Sequence, residues 1–358
     1  MEAALQGSAL AILLYDVCEE IRLDELRELL AAQRQRPAFK HPAAQQVRVE
    51  HPPVVEPLAP IVLDGGEPIE AQVKYYEYGV VSIIFQRPFS GDWAKLVELS
   101  SNWISGSELE RHAAQIVREK LKRATPALIK PYQNWLTEDY YIFLLTSIEG
   151  NPTAADLIAR HGGNISRAVR GEMGVLSSGE QTEVLQSSIS YYPNDVAVIG
   201  WNAAFVYDTP AGAETAIQIL EYANSQLLEF RHYDDYLTDE LAVAYRLLDR
   251  GTGLLARWRL AQAANKLHAV TLDVTELAER VDNAIKFLSD MFSARFYRIA
   301  ATKVGVPDYK DLVYEKLETA RGLYGFMVEQ FQQSRAFVLE VMVVIILLIE
   351  LVFLFRGK

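Results

Sequence analysis

Residues 73–85 read VKYYEYGVVSIIF, and this run decides the fold class. It is dense in aromatic and β-branched side chains, which suit a pleated, half-buried surface, so it predicts a long strand or a strand pair. Working outward, residues 8–18 (SALAILLYDVC) form an apolar run that fits a buried strand. Glu20 to Leu30 follows with Ile21, Leu23, Leu26, Leu29 and Leu30 at helical spacing. The Pro-rich stretch from Pro37 to Pro68 predicts loop, with Gln45 to Glu50 as possible edge strand, since proline is tolerated there.

Downstream, Gly91-Asp92 marks a helix start, and Ser107 with Glu110 predicts a capping box for a helix to about Arg123. Tyr140 to Ile148 reads as strand. Asn151-Pro152-Thr153 predicts a short helix ending at Gly162-Gly163. Ser187 to Tyr192 and Val196 to Tyr207 predict a hairpin around Pro193-Asn194-Asp195. This order gives an α+β head over residues 1–209, with helices on a mostly antiparallel sheet.

Strand signals cease at Pro210. Ala211 to Leu248 carries one helical pattern, closed by Arg250-Gly251-Thr252-Gly253. Leu260, Leu267, Val274, Val281 and Leu288 then fall seven apart, and Ala263, Val270, Leu277, Ala284 and Met291 fall three after each. That is an a/d seam of coiled-coil type. Asp273-Val274-Thr275-Glu276 could restart the helix as a capping box, which puts an expected break near Thr271. Residues 210–304 therefore read as a helical stalk.

After the turn at Gly305-Val306-Pro307-Asp308, a second seam runs through Val313, Leu317, Ala320, Tyr324, Met327 and Phe331. It continues through Val338, Val341, Ile345, Leu348, Val352 and Phe355, so one helix is expected from Asp308 to Phe355. Its residues 308–335 would be juxtamembrane. Residues 336–355 (AFVLEVMVVIILLIELVFLF) would be a transmembrane helix, since about twenty helical residues match the roughly 30 Å bilayer core. Glu340 and Glu350 interrupt that span. Carboxylates inside lipid usually face protein or water, so they are expected to bond to a neighbouring helix and favour a homo-oligomer. Leu317, Tyr324 and Phe331 are the expected stalk contacts.

The chain has 358 residues and a formal net charge of −12. That acidity argues against broad nucleic-acid binding and against DNA as a partner. The exception is Arg118 to Arg123, where Lys120, Lys122 and Arg123 could contact RNA or another anion; the bland alternative is a solvated helix face. Mean hydropathy is +0.02, so any membrane segment would be an appendage carrying membrane lipid as its partner. The lone Cys18 cannot form an internal disulfide, and the N-terminus lacks the basic region of a signal peptide. The expected setting is a bacterial inner membrane with the head in the cytoplasm; a mitochondrial inner membrane is the alternative.

Catalytic signatures are missing: there is no P-loop, Gly-x-Ser-x-Gly elbow or His-Glu-x-x-His. Gly251-Thr252-Gly253 follows a helix instead of a strand and reads as a helix breaker. His161-Gly162-Gly163 reads as a helix C-cap in preference to an oxyanion loop. His232-Tyr233-Asp234-Asp235 reads as a solvated acidic face. No catalytic, cofactor or metal residue is assigned, although a pocket gathering His161, Asp195 or Glu77 would favour an enzyme.

Leu339-Glu340, the apolar run Val341 to Ile349, and Glu350 resemble the closing signature of the "required for meiotic nuclear division" family. Its members are sporulation-related fungal proteins, a mitochondrial inner-membrane protein and uncharacterised bacterial proteins. Tyr78-Gly79-Val80-Val81 is similar to its central strand motif, and Ile21 to Leu26 to its first helix. The resemblance implies a membrane-anchored, oligomeric, non-enzymatic scaffold or tether. For the mitochondrial relatives it implies a ribosomal partner and support of translation at the membrane.

Overall fold

The computed structural model describes residues 4–30, 52–62, 68–249, 254–283 and 291–356. It divides into two compact units, Met1–His232 with Arg280–Tyr309, and Tyr233–Glu279 with Lys310–Lys358.

The first unit is built on an eight-stranded sheet in the order β2-β3-β4-β1-β5-β8-β7-β6. The strands are β1 (Leu5–Ile21), β2 (Val54–Pro57), β3 (Glu70–Tyr75), β4 (Val80–Gly91), β5 (Leu128–Ile148), β6 (Ser188–Ile189), β7 (Val196–Ile199) and β8 (Ala203–Tyr207). All neighbours run antiparallel except β5 and β8, which are parallel. The deciding run 73–85 is the β3–β4 hairpin. Its turn needs Gly79, held at φ +91°, where a Cβ would lie 1.8 Å from the Cys18 carbonyl oxygen.

β1 sits at the centre and is buried on both faces, which is why it reads as a continuous apolar run. Leu5, Ala9, Ala11, Leu13 and Tyr15 enter one core with α1 (Leu23–Leu30), α2 (Trp93–Ser105), α3 (Glu108–Ala124), α4 (Ala154–Arg170) and α5 (Ser178–Leu185). The alternate residues Leu10, Ile12, Leu14 and Asp16 are buried on the opposite face.

Local chemistry sets several boundaries. Asp92 caps α2 by accepting from the Lys95 N–H at 2.8 Å. Ser107 precedes α3 but makes no side-chain cap, so the expected capping box with Glu110 does not form. α4 does not stop at Gly162-Gly163; it runs to Arg170 and is closed by Gly171 at φ +68°. Gly162 instead lets α5 approach, since a Cβ there would stand 2.9 Å from a Leu185 methyl. The expected hairpin around Pro193 is β6 with β7, and its second arm is split into β7 and β8.

Four further helices follow: α6 (Pro210–Asp249), α7 (Leu254–Asn283), α8 (Met291–Val304) and α9 (Val306–Arg356). In the second unit, Leu241 and Ala244 of α6 pack with Ala264 and Leu267 of α7 and with Ala320, Leu323 and Met327 of α9. α7 is unbroken at Thr271. The Thr271 hydroxyl donates to the Leu267 carbonyl and Thr275 to Thr271, both at 2.7 Å, so these hydroxyls bond back into the helix instead of capping a new one. Of the described seam positions, Leu267, Val270 and Val274 are buried within the chain, whereas Met291 is 89% exposed.

α9 is the expected long helix. Among the described residues no helix is long and apolar enough to cross a membrane. The uninterrupted apolar run lies between Glu340 and Glu350, and Val341 to Ile349 spans only about 13 Å. The expected transmembrane helix over 336–355, the tail anchor and the placement in a bacterial or mitochondrial inner membrane are corrected accordingly. Gln45 to Glu50, His41, His51, the Gly251-Thr252-Gly253 turn and the side chains of Leu260, Leu277, Val281, Ala284, Leu288 and Phe331 lie outside the described residues.

Gly79→Ala combines a positive φ with a backbone clash at Cys18. It is expected to destabilise the first unit by about 3 kcal/mol or more, read as the shift in urea midpoint with an unchanged slope.

Candidate functional site

The second face of the sheet carries a polar seam under α6. Helical spacing aligns Glu221, Ser225 and His232 on one side of α6. Glu221 pairs with Lys74 of β3, and Ser225 shares a 2.7 Å hydrogen bond with Tyr78. Arg231 pairs with Glu138 of β5, and His232 Nδ1 lies 2.7 Å from Asp16 Oδ2 of β1. Three charge pairs therefore fix the register of α6 on three strands. Pairs of this kind add little net stability, but removing one partner is expensive because the other stays buried.

Aromatic rings fill the space between them. Tyr76 and Tyr78 stack at 5.3 Å, and Tyr222 meets both edge-on at 6.2 Å. Tyr132 stacks on the His232 ring at 4.5 Å. Burial pushes the Asp16 carboxyl above its ordinary range, opposed by the His232 contact. Burial also raises Glu138, to about 7, although the Arg231 guanidinium pulls it down.

A carboxylate-held imidazole can act as a base, but the nearby thiol is not set up as a nucleophile. Cys18 is buried, donates to the Glu20 carbonyl at 3.2 Å, and has its ionisation pushed up by burial and by Asp16. The seam as built is a clamp. Motif reading missed it because its members are spread over β1, β3, β5 and α6. The signal that could have exposed it was Asp16, a carboxylate inside an apolar strand.

The residues singled out from sequence are not brought together. His161 stacks on Trp93 at 4.7 Å on α4. Asp195 accepts the Tyr191 and Tyr192 N–H groups, each at 2.7 Å, in the β6–β7 turn. Glu77 lies in the β3–β4 turn, beside an open depression of about 640 Å³ at the start of α1. Both arginines there are engaged, Arg22 with Glu25 at 2.8 Å and Arg27 with Asp24 at 2.6 Å. No group of three metal-ligating side chains occurs among the described residues.

Lys120 is drawn into a pair with the buried Glu56, which also accepts from Tyr75, while Arg118, Lys122 and Arg123 of the basic stretch stay exposed. Leu317 is fully buried in the second unit, and Tyr324 stacks on His268 at 4.7 Å. Leu317 is thus used inside its own unit, and Tyr324 is half-buried there. Glu340 and Glu350 are exposed on α9.

Residues 6–214 match the family model "Uncharacterized protein MJ0711, N-terminal domain". The chain belongs to this family. The match covers the sheet, α1 to α5 and the first residues of α6. The MJ0711 protein of Methanocaldococcus jannaschii is 20% identical over 170 residues, 48% of this chain and 52% of that protein. The chain thus spans about half the length of the curated relative it matches. No solved structure matches the chain. The MJ0711 match ends before α9, so the closing stretch 339–350 that resembles the meiotic nuclear division family lies outside it, while Ile21 to Leu26 and Tyr78 to Val81 lie inside it.

The clamp makes stability pH-dependent with a definite sign. Glu138 holds its proton up to about 7 in the fold, against an ordinary 4.5. The proton therefore favours the folded state, and its stabilisation is full below about 4.5 and is lost as pH rises through 7. Asp16 is raised and acts in the same direction. Thermal unfolding should show stability falling by roughly 2 kcal/mol from pH 5 to pH 8, and Glu138→Gln should flatten that slope.

Proposed function

We propose that the chain is a non-catalytic scaffold that self-associates through the end of α9 and leaves the sheet unit to hold a partner. The observation that carries this is the exposure of α9 from Val341 to Val352. Val341, Met342, Val343 and Val344 are 40%, 49%, 55% and 53% exposed. At 3.6 residues per turn these side chains point in every direction around the axis. A helix that is apolar all round is stable in water only when it is covered all round, and copies of the same helix supply that cover symmetrically. One partner helix could cover only one side, so the expected assembly holds more than two copies. Glu340 and Glu350 bound the apolar run and limit its length.

The polar seam supports the non-catalytic reading, because its ionisable groups hold α6 to the sheet. The likeness of residues 339–350 to an oligomeric, non-enzymatic family points the same way. Of its three candidate residues, the RNA-tether reading keeps Lys122 and Arg123 after the loss of Lys120 to Glu56.

Sedimentation equilibrium of the full chain in detergent-free buffer tests the proposal. The wild type should exceed a dimer, and Val344→Lys with Leu348→Lys should reduce it to monomer with unchanged helix content by circular dichroism. A wild type that is monomeric at tens of micromolar would overturn it. So would an unchanged assembly in the double variant, or recovery of monomers bound to lipid vesicles.

A further inference from the structure

β5 is much longer than the strand beside it. It runs from Leu128 to Ile148, but β8 pairs only with Tyr141 to Leu145. Among the described residues the last bond on that side is from the Tyr141 N–H to the Asn202 carbonyl at 2.9 Å. Before it, β8 has already turned away through Trp201, which is 67% exposed. From Leu136 to Leu145, β5 keeps an unbroken register with β1. Backbone direction therefore alternates regularly there. Thr137 and Asp139, odd like Tyr141, aim their N–H and C=O groups at the edge that β8 has left.

Side chains stand in for the missing strand. The Thr137 carbonyl accepts from Arg231 Nη1 at 3.5 Å, the outer limit of a hydrogen bond. The Asp139 N–H leans on its own carboxylate. Both are weak substitutes for a ladder bond. A carboxylate pair flanks this edge on the core side. Glu110 of α3 is raised by burial and by the charge of Asp139 beside it, and burial raises Asp139 against the pull of the Tyr141 hydroxyl and the Arg231 charge. These acids would be relieved by a cation.

We propose that the β5 edge from Leu136 to Tyr140 is a strand-addition site for a short extended segment of another protein carrying a basic side chain. The incoming backbone takes over the Thr137 and Asp139 groups, continuing the line of β8. Its alternate side chains reach the two faces of the sheet, and a lysine or arginine on the core side meets Asp139 and Glu110. Trp201 offers an apolar contact where the segment begins. The geometry selects a protein strand, because the edge presents ladder groups at strand spacing. The inference is independent of assembly through α9.

The probe is a short fluorescein-labelled peptide of alternating valine and threonine with a central lysine, followed by anisotropy against the full chain. Thr137→Pro removes an N–H that faces the open edge, so no internal ladder bond is lost. The wild type should bind the peptide. Thr137→Pro, and a probe with glutamate in place of lysine, should each weaken binding at least tenfold. A probe N-methylated on alternate amides keeps the test valid if Thr137→Pro fails to fold, and should also bind at least tenfold more weakly. Absence of binding, or equal binding by the proline variant or the N-methylated probe, overturns the proposal. Concentration-dependent self-association that Thr137→Pro abolishes would also overturn it, by giving the edge to a second copy.

Discussion

Burial of β1 on both faces is the constraint from which the first unit follows. A strand with apolar side chains in both directions must be covered twice. The connections between strands supply one cover, because α1 to α5 lie between β1 and β6 in the chain and fall on one side of the sheet. The second cover must come from elsewhere, and α6 provides it. A long helix laid on a twisted sheet can slide by a turn with little loss of apolar contact. Glu221, Arg231 and His232 select one position, each meeting an opposite group on a different strand.

Putting charges beneath a helix has a consequence for ionisation. Glu138 and Asp16 are buried enough that desolvation outweighs the attraction of their partners, so both keep protons more tightly than in water. The clamp therefore gives specificity more than strength. The second unit is held differently. Small and branched side chains such as Ala244, Ala264, Ala320 and Leu267 allow close helix approach, and polar contacts such as Lys316 to Asp234 at 2.5 Å lie at its edge.

Much of the first unit was legible from local chemistry. The β3–β4 hairpin, the apolar strand β1, the α2 start at Asp92 and the β6–β7 hairpin all follow from short-range patterns. Short-range patterns also misled. Gly162-Gly163 looked like a helix end because glycine often caps helices, yet α4 passes through and uses Gly162 to admit Leu185. Asp273 to Glu276 looked like a capping box, yet their helix does not break because its hydroxyls bond inward. Residues 336–355 have the length to match a bilayer core, but the two glutamates leave only a short uninterrupted run.

By itself the sequence determined the strands β1, β3, β4 and β6 to β8, the end of β5, the starts of α2 to α4 and the helical chain after Pro210, but not β2, the first half of β5 or α5. Those properties depend on side chains within a few residues of one another. Only the tertiary structure decided that Leu267, Val270 and Val274 are buried within one chain, and that Asp16 and Glu138 meet consecutive residues of α6. It alone decided that part of β5 has no strand neighbour on one edge among the described residues. Each of these depends on which segments lie together in space, and separation along the chain carries no record of that.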